Sequence, residues 1–117
     1  MLTKKIITSV SLVLFTAVTY LPNAFAAGNA KEGKKIFEQN CAACHGLKGT
    51  GDGAAAAALN PKPRNFKEAK FKYGSKDSDL HKTISDGKGV MPPWKAVLKT
   101  KQIDDVIAYI RTLKGKK

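Results

Sequence analysis

The strongest hydrophobic pattern in this chain lies near its C-terminus. Ile103, Val106, Ile107, Ile110 and Leu113 recur at spacings of three and four, with Tyr109 at the edge of the stripe. Such spacing puts them on one face of an α-helix. Thr100 is placed to cap this helix, Asp104 and Asp105 to occupy its first turn, Arg111 and Lys114 its last, and Gly115 to end it, so that each charge complements the helix dipole. A second helix is expected over 27–45. Asn29 is a good N-cap, Glu32 completes a capping-box pattern, and Gly33, Ile36, Phe37, Asn40, Cys41 and Cys44 follow at helical spacing before Gly46 stops the run. A shorter helix is expected over 76–86, with Asp77 or Ser75 as cap, Leu80 and Ile84 one turn apart, and Gly87 at its end.

Between the first two helices, residues 47–72 contain GTGDG, an alanine run and LNPKPRNF, in which Pro61 and Pro63 exclude a central strand or regular helix. A loop this long needs something other than protein to pack on. The segment GKGVMPPW, with two glycines and two prolines, is likewise irregular. No stretch alternates with the period of two that a half-buried strand requires. The fold class is therefore all-α: three main helices and long loops.

The N-terminus has a different character. Lys4 and Lys5 precede a mostly apolar stretch, 6–21, and Ala24-Phe25-Ala26 is a small-x-small cleavage site. As a membrane span the stretch is short, at 16 residues, and it carries Thr8, Ser9, Ser11, Thr16 and Thr19, whereas a span needs about 20 apolar residues. Residues 1–26 are thus expected to be a cleavable signal peptide and 27–117 a single exported, periplasmic domain. A domain of that size has little core of its own and gains from a cofactor or staple.

The chain carries 21 Lys+Arg against 9 Asp+Glu, a net +12, and loss of Lys4 and Lys5 with the leader leaves +10. This balance suggests a membrane surface or an acidic protein partner, and an acidic partner is expected. Nucleic acid is not, because an exported chain seldom meets it and because the basic residues are scattered and mostly lysine, whereas planar recognition of phosphate favours arginine.

Both cysteines and one of the two histidines lie in CAACHG, Cys41 to Gly46. On a helix, Cys41, Cys44 and His45 project from one patch. A thioredoxin-like pair would need a βαβ setting that the pattern lacks. A Cys41–Cys44 disulfide would close a tiny loop and add little stability. Zinc would need four ligands, and His81 lies far along the chain from the motif. CxxCH is instead the attachment signature of c-type haem, with Cys41 and Cys44 as thioether donors and His45 as axial iron ligand. Met91, the only methionine beyond the leader, is set in GVMPPW and suits the opposite axial position, since His/Met ligation raises the potential for electron transfer. His81 is the rival, but it sits about 100° away from the Leu80/Ile84 face of its helix. GTGDG lacks both the preceding strand and the GK[ST] ending of a phosphate loop, and its glycines are expected to run beside the haem edge.

Taken together, the Gly33/Phe37 pair, CAACHG, the proline loop, GVMPPW and a terminal helix with Val106 and Tyr109 resemble the small monohaem class I cytochromes c. The resemblance covers most of residues 27–117. It implies a cytochrome c-like fold in which Gly33 and Phe37 meet Val106 and Tyr109 where the first and last helices cross. It further implies that a proline-loop carbonyl, here Pro61, accepts the far proton of His45, and that Arg64 pairs with a haem propionate. Trp94 is expected to pack near the Met91 side. The implied function is one-electron transfer by a monomeric carrier, not an enzyme, that meets its redox partners transiently.

Overall fold

The computed structural model describes residues 27–117, and the expected leader, 1–26, lies outside the described residues. Four α-helices follow in order: α1 Ala30–Asn40, α2 Ala42–His45, α3 Asp77–Asp86 and α4 Thr100–Thr112, with short 3-10 turns at Ala56–Ala58 and Phe66–Glu68. The only β-type pairing among the described residues is an isolated bridge between Lys88 and Met91. The all-α expectation holds.

Asn29 caps α1 as expected, its Oδ1 accepting from the N–H groups of Lys31 at 3.0 Å and Glu32 at 3.3 Å. The reciprocal half of the capping box is replaced. Glu32 turns to Lys35, and the Asn29 N–H donates to Asp105 Oδ1 of α4 at 2.6 Å. The single helix expected over 27–45 is interrupted at Cys41, where φ and ψ are −112° and −29°. There the Asn40 side chain donates to the Ile36 carbonyl at 2.9 Å, a competition for a helical acceptor that bends a helix.

Helix α4 begins one residue earlier than its pattern suggests. Lys99 is the N-cap and its N–H donates to Gln102 Oε1 at 2.9 Å, so Thr100 is the first helical residue and Asp104 and Asp105 fall in the second turn. Both aspartates serve tertiary contacts instead of the dipole. Asp105 is buried and also accepts from Lys101 Nζ at 2.9 Å. Burial pushes its carboxyl up, but the Asn29 N–H and the Lys101 ammonium outweigh that and hold it below the usual range. Asp104 pairs with His81 Nδ1 of α3 at 2.8 Å. At the start of α3 the N-cap is Lys76, not Asp77 or Ser75, and its N–H donates to Asp79 at 3.1 Å. Asp77 and the Ser75 carbonyl accept instead from Arg111 of α4, at 2.7 and 2.5 Å from Nη2.

The core forms where α1 and α4 pack. Phe37, Ile103, Val106 and Ile107 are its most deeply buried side chains, and Phe37 meets Tyr109 edge to face with ring centroids 5.2 Å apart. Gly33 lies against the α4 backbone at Asp105 and Val106, so closely that a Cβ there would overlap the Asp105 carbonyl. The expected meeting of Gly33 and Phe37 with Val106 and Tyr109 is what the structure contains. Leu80 and Ile84 of α3 belong to the same core and also line a cavity.

Candidate functional site

The cavity has a volume of about 270 Å³. Cys41, Cys44 and His45 line it, together with Phe37, Phe66, Leu80, Ile84, Met91, Trp94 and Ile110. Pro61, Arg64, Lys72 and Lys88 also line it. Every site residue expected from the sequence thus borders one space.

The break at Cys41 does not scatter the motif, because α2 carries it through its own turn: the His45 N–H still bonds the Cys41 carbonyl at 2.9 Å. GTGDG secures the far end of that turn. The N–H groups of Gly51, Gly53 and Ala55 donate to the carbonyls of His45, Cys44 and Ala43 at 2.8, 3.1 and 2.9 Å, closing acceptors that a helix end leaves open. A Cβ at Gly53 would collide with the Ala42 and Ala43 carbonyls. The expectation that these glycines border the haem is therefore corrected. None of them lines the cavity, and their role is to wrap the back of the CxxCH turn.

His45 Nδ1 lies 3.2 Å from the Arg64 carbonyl oxygen. A carbonyl only accepts, so Nδ1 carries the proton and Nε2 of the neutral ring keeps its lone pair. Burial lowers the pKa of the ring against the opposing effect of the Arg64 bond, which favours that neutral form. The acceptor is Arg64, not Pro61 as the family resemblance implied. The reason lies in Lys62, whose ammonium bonds the carbonyls of Ala56 and Ala57 at 2.9 and 3.0 Å. This holds the 61–63 stretch against the alanine turn, and the carbonyl that meets the imidazole comes three residues after Pro61.

The two thiols are unpaired with each other and half-buried. Burial, then the neighbouring Cys44, pushes the Cys41 thiol up to about 11. That is opposite to the depressed pKa of a disulfide-exchange pair. A neutral imidazole lone pair, two adjacent thiols and a thioether around an apolar space fit a haem with covalent attachment, and they do not make a closed metal cage.

Met91 is presented by a tight turn, its N–H and C=O both bonded to Lys88 at 3.0 Å. Gly87, with φ of 70°, lets the following Met91–Pro93 backbone lie where a side chain would stand. Trp94 donates its N–H to the Ile84 carbonyl at 3.0 Å, docking this loop on the end of α3. His81 faces Asp104 and does not line the cavity.

Sequence reasoning missed Phe66, Lys72, Tyr73 and Lys88. Phe66 carried a faint signal as a large apolar residue in the proline loop just after Arg64. The two lysines carried none: Lys72 adjoins Tyr73 in sequence and lies 5.5 Å from its ring centre, and the fold brings Lys88 over the same ring at 5.1 Å.

Comparison with known proteins gives a consistent answer. The family model for cytochrome c oxidase, cbb3-type, subunit III matches residues 28–110. A cbb3-type cytochrome c oxidase subunit CcoP from Azospirillum sp. (strain B510) is 37% identical over 78% of this chain but only 31% of its own length. The chain thus spans about a third of such relatives. A cytochrome c6 from Gloeothece citriformis is 39% identical over 92% of both chains. Among solved structures, the reducing HAO-like protein complex of Kuenenia stuttgartiensis superposes with a TM-score of 0.67 at 29% identity, over 75% of this chain and 44% of that one. Cytochrome c6 from the diatom Phaeodactylum tricornutum does so at 0.58 and 24% identity, over 73% of this chain and 93% of that one, a likeness of fold. The chain belongs to the family of cytochrome c oxidase, cbb3-type, subunit III, as a small monohaem class I cytochrome c.

Proposed function

We propose that this protein is an exported, periplasmic electron carrier with one covalently attached haem c, and not an enzyme. Cys41 and Cys44 are the thioether attachment points, and His45 and Met91 are the axial ligands. The observation that carries this reading is the His45 tautomer: Nδ1–H is committed to the Arg64 carbonyl, so Nε2 is left as a fixed lone pair beside two thiols. When bound, the haem iron supplies a one-electron ferric/ferrous couple. The chain's own residues hold the imidazole neutral, enclose the site in apolar side chains and leave its rim open. Pro61, Arg64 and Trp94 line the space, and the Arg64 guanidinium is the partner for a haem propionate. Intact mass of protein matured in a haem-attaching host tests the attachment: one retained haem is expected, on a chain beginning after Ala26. Recovery of the bare polypeptide defeats the reading.

Partners are transient redox proteins with acidic surfaces, met by a monomer. The +10 balance of residues 27–117 supports this, as do Lys72 and Lys88 beside the cavity mouth. Electron exchange with an acidic partner is expected to slow as ionic strength rises. A rate independent of salt removes the electrostatic steering. Among the described residues no helix is long and apolar enough to cross a membrane.

A second reading is favoured by the cbb3-type relatives: the chain acts as an electron-relay subunit of a larger complex. Purification as a stable hetero-oligomer distinguishes it from the free carrier that the full-length match to cytochrome c6 supports.

A further inference from the structure

His45 is constrained in two directions by one short stretch of chain, 64–66. The Arg64 carbonyl receives the Nδ1 proton and so aims the ring along one axis. Phe66 lies nearly face to face with the same ring, with centroids 4.6 Å apart and planes inclined by 20°. One hydrogen bond leaves an imidazole free to turn about the donor axis. A flat partner at stacking distance removes that freedom.

Phe66 is itself well held. Its N–H donates to the Gly49 carbonyl at 2.8 Å, and Asn65 Oδ1 caps the turn that carries it by accepting from the Lys67 N–H at 3.0 Å. Its ring stands edge-on to Phe37 at 6.0 Å and lies beside Phe71 at 6.3 Å. It is buried, at 8% exposure. A side chain this constrained transmits its orientation to what it touches.

We infer that Phe66 is the positioning residue for His45, setting the plane in which the imidazole presents Nε2 to the cavity. The inference rests on His45 being an axial ligand. Rotation of a ligand ring about its bond to low-spin ferric iron redistributes unpaired spin around the porphyrin, and the four haem-methyl proton resonances report it.

The test is proton NMR of the oxidised holoprotein, with histidine labelled, for the wild type, Phe66→Leu and Phe66→Tyr. Phe66→Leu is expected to change the order and spread of the haem-methyl resonances, while Phe66→Tyr, which keeps a flat face, retains the wild-type pattern. Where Phe66→Leu does not accumulate as holoprotein, Phe66→Met is expected to show the same change. A lowered melting temperature with an unchanged methyl pattern in the non-aromatic variants overturns the positioning role and leaves axial ligation standing. Absence of hyperfine-shifted His45 ring signals from the wild type overturns the ligation reading, and the inference with it.

Discussion

Gly33→Ala is expected to lower the melting temperature of the holoprotein by roughly 12 to 24 °C, taking about 4–8 °C per kcal/mol for a domain of this size and a cost of about 3 kcal/mol. That cost is at the upper end of the usual range for overpacking, because the atom in the way is the Asp105 carbonyl, part of the α4 backbone, and cannot rotate aside. Relief requires α1 and α4 to separate. Separation loosens the Asn29 N–H contact to Asp105 and the edge-to-face pairing of Phe37 with Tyr109. The sign of the effect is diagnostic. At a glycine whose backbone geometry alanine can adopt without strain, the same change stabilises by about 0.4–1 kcal/mol through the unfolded state. A melting temperature that stays level or rises in Gly33→Ala would show that the helices do not approach as closely as described.

Met91→Ala is expected to abolish the weak sulfur-to-iron charge-transfer absorption of the oxidised protein and to lower its midpoint potential. The reduced variant should take up carbon monoxide at neutral pH, whereas the reduced wild type should respond slowly or not at all. The turn that presents Met91 is held by its backbone bonds to Lys88, so truncating the side chain removes the thioether without releasing the loop. A thioether ligand raises the potential relative to harder donors. The same experiment separates an electron carrier from a haem-based ligand binder, in which iron is open from the start. If the wild type lacks the band and takes up carbon monoxide as readily as Met91→Ala, Met91 is not the sixth ligand.

Most of the site was legible because its chemistry is local. Cys41, Cys44 and His45 belong to one helical turn, so their common direction follows from residue spacing alone, and interruption of the helix at Cys41 did not disturb it. Met91 could be singled out because irregular backbone on both sides of it presents a side chain instead of burying it. The acceptor for His45 was misplaced by three residues. Pro61 and Arg64 share one loop, and nothing in its sequence shows that Lys62 fastens the middle of that loop to the alanine turn. GTGDG was expected to border the haem for a similar reason. Glycines announce close approach, but not what is approached.

The charged residues were the least legible. Arg111 does lie in the last turn of α4 and suits the helix dipole, yet its partners are Asp77 and the Ser75 carbonyl at the start of α3. Asp104 and Asp105 look like first-turn acids, yet one pairs with His81 and the other with Asn29 and Lys101. Glu32 matches a capping box whose return bond is made by Asp105.

By itself, the sequence determined the helical class, the faces that α1, α3 and α4 bury, and the three side chains of the CxxCH turn. Each of these depends on repeats of three or four residues, within which the backbone leaves little choice. Tertiary structure alone decided which carbonyl orients His45, which ring stacks on it, and which lysines stand at the cavity mouth. Those contacts join residues about twenty or more positions apart in sequence or rest on how a loop folds back. Their partners are chosen by packing around a shared space, which no local pattern encodes.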